Sequence, residues 1–181
     1  MKHIILIRHC KAGGQEPTAP LTDEGRLQAE QLAEFLTGRR IDYMVSSPFD
    51  RAIATIRPLA QRRSLEIHIE DRLCERGLSS EQLPDWMEKL SESFVDLDLK
   101  FPGGESSREA MNRGISVIKE LIERQERNIA VVTHGNLLSL ILKHYNDRFG
   151  FNEWRSLTNP DVYELALSDK EMTPSIKRIW K

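Results

Sequence analysis

Hydrophobic residues are distributed along this chain in two alternating patterns. Short apolar runs bounded by polar residues occur at His3–Ile7, Ile41–Val45, Leu65–Ile69 and Asn128–Val132, and again at Val162–Leu167 and Ile176–Trp180. Ile- and Val-rich runs of this length predict strands, and the first and fourth predict strands buried on both faces. Between them, apolar residues recur at helical spacing. Leu27, Leu32, Phe35 and Leu36 mark a helix that ends near Thr37, with Thr22 as N-cap and Asp23 and Glu24 in its first turn. Ser47 as N-cap and Pro48 at the first helical position predict a second helix toward Gln61. Met111, Ile115, Ile118, Leu121 and Ile122 give one face to a long helix over Glu105–Glu126, and another helix runs from Asn136 to about Tyr145. Residues 10–20 read as a loop. The stretch 70–104 is the least regular, with a helix over Gln82–Phe94 and a turn at Pro102–Gly104. Strands alternating with helices imply a layered α/β fold with a largely parallel sheet. No internal repeat, low-complexity segment or linker interrupts it.

Composition narrows this picture. A chain of 181 residues fits one domain with a real core, and 39% hydrophobic with 30% charged residues fits a folded soluble protein. A net charge of −2 gives no bulk attraction to nucleic acid or membrane, so any affinity for anions must be local. No apolar run has the length of a membrane span, and the run after Lys2 meets Arg8 too soon for a signal segment. Two cysteines are too few for a disulfide scaffold, so the expected location is the cytoplasm.

The candidate chemistry sits at strand ends, where open α/β sheets bind ligands. The first strand runs into Arg8-His9-Cys10 and the fourth into Thr133-His134-Gly135. Arginine offers a planar fork of donors to a phosphoryl group, and a neutral imidazole can attack phosphorus. Nearby arginines would keep His9 unprotonated. The alternative is that His9 only ends a strand while Arg8 pairs with a surface carboxylate. Arg51 is expected in the first turn of its helix, where a cation opposes the dipole, which suggests service to a ligand; a solvated arginine is the alternative. Glu75 is a candidate proton donor, or else a surface carboxylate balancing Arg72 and Arg76. Gly135 would let a ligand approach bare backbone at a helix start.

In order along the chain, Arg8-His9, Leu21-Thr22 with Gly25, Gln28 and Ala29, Ser46-Ser47-Pro48 with Arg51 and Ala52, Leu73-Cys74-Glu75, Gly103-Gly104-Glu105-Ser106 and Thr133-His134-Gly135 resemble the signature segments of the histidine phosphatase superfamily, the phosphoglycerate-mutase-like family. The resemblance covers nearly the whole chain. It implies a three-layer α/β/α sandwich with a mostly parallel central sheet, as a single domain over residues 1–181 with a small cap-like insertion at about 76–104. It also implies roles. His9 would be the nucleophile that forms a phosphohistidine, and Arg8, Arg51 and a charge-bearing His134 would bind the phosphoryl group. Glu75 would protonate the leaving group and then activate water. The resemblance implies no metal and no cofactor.

Cys10 stands where the family has glycine, so its side chain must point away or line the pocket. The loop from His9 to Leu21 is short and lacks a common asparagine; Gln15 or Thr18 is the expected substitute as a phosphate contact. Glu75-Arg76 and His134-Gly135-Asn136 resemble the mutase pattern, which implies that Arg76 and Asn136 contact a substrate carboxylate or second phosphate; Gly135 and the loop near Asn159 are also expected to meet the substrate. Trp86, Met87 and Phe94 form either an apolar wall there or part of the core. Because Cys10 and Cys74 flank His9 and Glu75, their oxidation is a conceivable modulator of activity. His3, His68 and His144 read as structural or exposed. The short chain, a segment after Glu75 without the tyrosine and lysine of a phosphoglycerate site, and a brief 77–102 region favour a phosphatase acting on a small-molecule phosphate ester. Phosphoglycerate mutase-type transfer is the alternative, and a non-catalytic phospho-ligand binder the second. No nucleic-acid or membrane partner is expected, and the oligomeric state is open.

Overall fold

Strand β1 (Lys2–Arg8) splits its side chains between two cores: Ile4 and Leu6 face one side of the sheet, Ile5 and Ile7 the other, and all four are at most 2% exposed. This is a strand covered on both faces, as its unbroken apolar run requires. Strand β4 (Asn128–Thr133) repeats the division, with Ile129 and Val131 on the first side and Ala130 and Val132 on the second. The computed structural model describes residues 1–168, 170–171 and 173–181. With β2 (Tyr43–Ser46), β3 (Ile67–Ile69), β5 (Asp161–Leu167) and β6 (Ser175–Arg178), these strands form one sheet in the order β3-β2-β4-β1-β5-β6. The first four in that order are parallel, and β5 and β6 are antiparallel additions.

Helices cover both faces and make the expected α/β/α sandwich. On one side lie α1 (Asp23–Thr37) and α2 (Asp50–Arg63), whose Leu32, Leu36, Ile56 and Leu59 join Ile5 and Ile7. On the other lie α3 (Trp86–Val95), α4 (Ser107–Glu123) and α5 (Gly135–Tyr145), which bring Leu90, Phe94, Ile118 and Leu138 to Ile4 and Leu6. A short helix α6 (Phe151–Arg155) and a 3-10 turn (Asp71–Leu73) complete the chain; neither was expected from its pattern. No helix among the described residues is long and apolar enough to cross a membrane.

Several boundaries depart from the sequence expectations for local reasons. Thr22 does cap α1, accepting from the backbone N–H of Gly25 at 3.0 Å, but Leu27 is 66% exposed and the buried face runs through Ala29 and Ala33 instead. Ser47 does not cap α2. Its Oγ contacts His134, the N-cap is Phe49, and Pro48 stays outside the helix. Helix α4 begins two residues late because Ser106 and Glu109 form a capping box there, and it stops at Glu123. Helix α3 starts at Trp86 rather than Gln82. The segment 76–104 contains α3, and Leu90 and Phe94 tie it to the main core.

Candidate active site

The ends of all four parallel strands meet in one place. Arg8 pairs in register with Thr133, and Ser46 with Val132 and Ile69. The ladder continues past the strands: His9 N–H donates to the Thr133 carbonyl at 3.1 Å, and Ser47 N–H to Val132 at 3.0 Å. Backbone bonds therefore fix where His9, Ser47 and His134 begin. The His9 and His134 ring centroids are 5.1 Å apart at 64°.

The tautomer of His9 is set from both sides. Nδ1 lies 2.7 Å from the Cys10 carbonyl, which can only accept, so Nδ1 carries the proton and donates it. The lone pair is then on Nε2, and Arg51 Nε–H donates to it at 3.2 Å. Burial, with smaller contributions from Arg51 and Arg8, lowers the His9 pKa to about 4. Arginines were the expected cause of a neutral His9; desolvation is the larger one. The carbonyl of His9 accepts from Asn159 Nδ2 at 2.9 Å, so Asn159 anchors the His9 backbone.

Arg51 is 1% exposed, the largest fully buried side chain among the described residues, and its Nη1 donates to the Glu16 carbonyl at 2.8 Å. Its guanidinium sits 4.9 Å above the Phe49 ring, whose edge meets His134 at 4.8 Å. His134 is wholly buried, with Nε2 2.8 Å from Ser47 Oγ. Burial first, then His9 and the arginines, push its pKa down to about 2. His134 is therefore neutral in the free protein, and the charge expected of it beside a phosphoryl group has to be acquired there.

Glu75 follows the 3-10 turn, and its carboxylate docks on the start of α5. It accepts from the backbone N–H of Asn136 at 3.0 Å and Leu137 at 2.9 Å, and from Arg76 N–H at 2.8 Å. This is the anion site expected of a helix N-terminus, filled by the protein's own carboxylate. The role of Gly135 also changes. A Cβ there would lie 2.9 Å from Arg8 Nε and 3.0 Å from Cζ, so its bare backbone makes room for the Arg8 guanidinium. Arg8 Nη1 is held by the carbonyls of Leu157 at 3.2 Å and Thr158 at 3.4 Å.

Four buried side-chain polar atoms have no hydrogen-bond partner among the described residues: Arg8 Nε, Arg76 Nη2, His134 Nδ1 and Asn136 Oδ1. Each such atom costs about 1–3 kcal/mol. All four belong to residues at this one site, the arrangement expected where a polar ligand supplies the missing partners. Arg8, Gln15, Glu75, Arg76 and Asn136 line one cavity of about 370 Å³. Thr18, the other loop candidate, is exposed and does not line it. Among the described residues no three His, Cys, Asp or Glu side chains are grouped to hold a metal ion.

Cys10 points away from the site. Its side chain is wholly buried against Leu21 and Ala29, and its backbone N–H donates to Thr55 Oγ1 at 2.8 Å. Burial raises its thiol to about 12 and raises Cys74 as well; both are free. Reactive thiols need the opposite, a lowered pKa and exposure, so the geometry gives no support to oxidation as a modulator. His3 lies beside Glu164, His68 stacks on Tyr43 and His144 meets Tyr145, all outside the site.

Sequence reasoning missed Arg113. Its Nε and Nη2 donate to the two carboxylate oxygens of Glu105 at 2.9 and 3.0 Å, while Nη1 donates to the carbonyls of Arg72 at 2.6 Å and Cys74 at 2.8 Å. It braces the irregular segment that carries Glu75. An arginine at this position of an amphipathic helix carries no local signal of that contact.

Comparison with known proteins places the chain in a family. The family model of the histidine phosphatase superfamily (branch 1) matches residues 4–178. The chain is 31% identical over 152 residues to phosphoserine phosphatase 1 of Hydrogenobacter thermophilus, covering 74% of this chain and 71% of that protein. It is 26% identical over 172 residues to a glucosyl-3-phosphoglycerate phosphatase of Mycolicibacterium vanbaalenii, covering 78% and 72%. In structure it resembles the mycobacterial glucosyl-3-phosphoglycerate phosphatase solved with VO3, with a TM-score of 0.78 at 21% identity over 99% of both chains.

Proposed function

The chain belongs to the histidine phosphatase superfamily, as a short phosphatase-type member and a phosphoric monoester hydrolase, and we propose that it cleaves small-molecule phosphate monoesters through a phosphohistidine on Nε2 of His9. The observation that carries this reading is the commitment of His9 Nδ1 to the Cys10 carbonyl, which leaves Nε2 as the only ring nitrogen with a lone pair.

In the first step Nε2 attacks phosphorus and the P–O bond to the alcohol breaks. Glu75 acts as the general acid, giving a proton to the departing oxygen. In the second step the Glu75 carboxylate takes a proton from water, the hydroxide attacks phosphorus, and the P–N bond breaks to release phosphate and neutral His9. Arg51 Nε is already at Nε2 and moves its donor to a phosphoryl oxygen once the lone pair is used. Arg8 Nε and His134 Nδ1 supply further contacts to the transferring group. His134 takes up a proton there only with the dianion beside it, so its positive charge arrives with the substrate. Gln15, Arg76 and Asn136 face the alcohol portion across the cavity.

The test is hydrolysis of p-nitrophenyl phosphate in the presence of EDTA, with His9→Ala as the control. Turnover that persists in EDTA and vanishes in the variant is expected; undiminished turnover by His9→Ala would overturn the reading.

A further inference from the structure

The 370 Å³ cavity lies on the leaving-group side of the site. Glu75 and Arg8 belong to its lining, whereas His9, His134 and Arg51 do not, so it begins where the proton donor meets the ester oxygen. Whatever alcohol departs must occupy it.

Its walls are of two kinds. Trp86, Leu78, Leu90 and Trp154 supply apolar surface from three separate segments. Trp86 is 47% exposed, unusual for so large an apolar side chain, and Trp154 is steadied by stacking on Phe151 at 5.5 Å and 25°. Two such aromatics on one cavity suit a flat ring better than a small polyol, which would leave them wet. The second wall is Arg76, only 4% exposed. Its Nε donates to the Glu105 carbonyl at 3.1 Å and its Nη1 to Ser93 Oγ at 3.0 Å, which locks the side chain, while Nη2 stays buried and unpartnered. A fixed guanidinium on the cavity wall, with one donor that the protein leaves unused, selects an anionic acceptor, and a carboxylate fits it best.

The geometry points to a subsite for alcohols that combine an aryl body with a carboxylate, the ring lying on the Trp86–Trp154 wall and the carboxylate on Arg76. This rests on the His9 phosphatase reading. A cavity of about 370 Å³ holds a ring with a short acidic substituent, more than a three-carbon acid needs.

Matched substrates test it: the 3- and 4-carboxyphenyl phosphates, the corresponding carbamoylphenyl phosphates of nearly equal shape without the charge, and phosphoserine, which has a carboxylate without a ring. The better carboxyphenyl isomer should exceed its amide by about ten-fold or more in kcat/KM, and should exceed phosphoserine. In Arg76→Lys and Arg76→Gln the acid-to-amide ratio should fall toward one, whatever happens to the absolute rates. In Trp86→Ala, KM should rise for acid and amide alike with that ratio kept. Equal use of acid and amide by the wild type, a ratio unchanged in both Arg76 variants, or a preference for phosphoserine would overturn the subsite while leaving the phosphatase reading intact. No turnover of any of these esters would overturn both.

Discussion

Arg51 Nε lies 3.2 Å from Nε2 of His9, so the donor proposed to bind the phosphoryl group rests on the atom proposed to attack it. The contact keeps the lone pair in place and keeps the guanidinium aligned, with its Nη1 on the Glu16 carbonyl. Arg51→Lys loses the planar fork and cannot serve both partners. We expect kcat/KM to fall by about 10²–10³, the scale for removing one preorganised donor to developing charge. Steady-state kinetics on p-nitrophenyl phosphate measures this, and a drop below ten-fold would show that Arg51 does not contact the reacting group.

Acid should inactivate late. His9 is held at about 4 and His134 at about 2, against an ordinary value of 6.5. As the proposed nucleophile works neutral, the acid limb of kcat/KM, corrected for ionisation of the substrate, should lie near pH 4. A limb near 6.5 would show that His9 titrates as an exposed histidine.

The same depression links pH to stability, with a definite sign. Between about pH 4 and 6.5 the unfolded chain binds protons on these histidines that the folded chain refuses, so stability falls as pH falls through that range. Each histidine contributes about 1.4 kcal/mol per pH unit. Denaturant titrations from pH 4.5 to 7 should show a shallower pH dependence in His134→Asn than in the wild type. Equal slopes would contradict the burial of a neutral His134.

Gly135→Ala should damage the site more than the fold. The added Cβ meets the Arg8 guanidinium at 2.9 Å, and a displacement of Arg8 on the ångström scale costs about a hundred-fold in rate. Thermal unfolding should shift by only a few degrees, since the clash falls on a side chain at the pocket edge rather than in either core. Wild-type kinetics in this variant would show that Arg8 is not held where the chemistry needs it.

Arg113 donates to the carbonyls of Arg72 and Cys74 beside Glu75 and does not line the cavity, so we expect its loss to be selective. In the proposed mechanism esters of alkyl alcohols need the proton from Glu75; p-nitrophenyl phosphate, with its good leaving group, needs it far less. Arg113→Met frees the carbonyls of Arg72 and Cys74 and should slow an alkyl phosphate about ten-fold more than the nitrophenyl ester. Arg113→Lys should recover part of that difference. An equal loss on both esters would indicate a general structural defect.

What could be read from the sequence was local. The apolar runs of β1 and β4 set the buried sheet, and their ends marked His9 and His134 because register and topology bring such ends together; Glu75, in the irregular segment after β3, was singled out by the family resemblance. The Thr22 cap was equally plain. What was hidden depends on partners far along the chain. Ser47 looked like a helix cap because its rival partner, His134, is 87 residues away. Gly135 looked ligand-facing because nothing local shows that Arg8 passes over it. The direction of Cys10, buried with Leu21 and Ala29, and the bracing by Arg113 are tertiary facts of the same kind.

The central claim is covalent, and trapping tests it most directly. In Glu75→Gln, where attack by water is slowed, mixing with p-nitrophenyl phosphate, rapid quenching in base and peptide mapping should place one phosphoryl group on Nε2 of His9, labile to acid. Phosphate on any other residue, or on Nδ1 of His9, would contradict the mechanism.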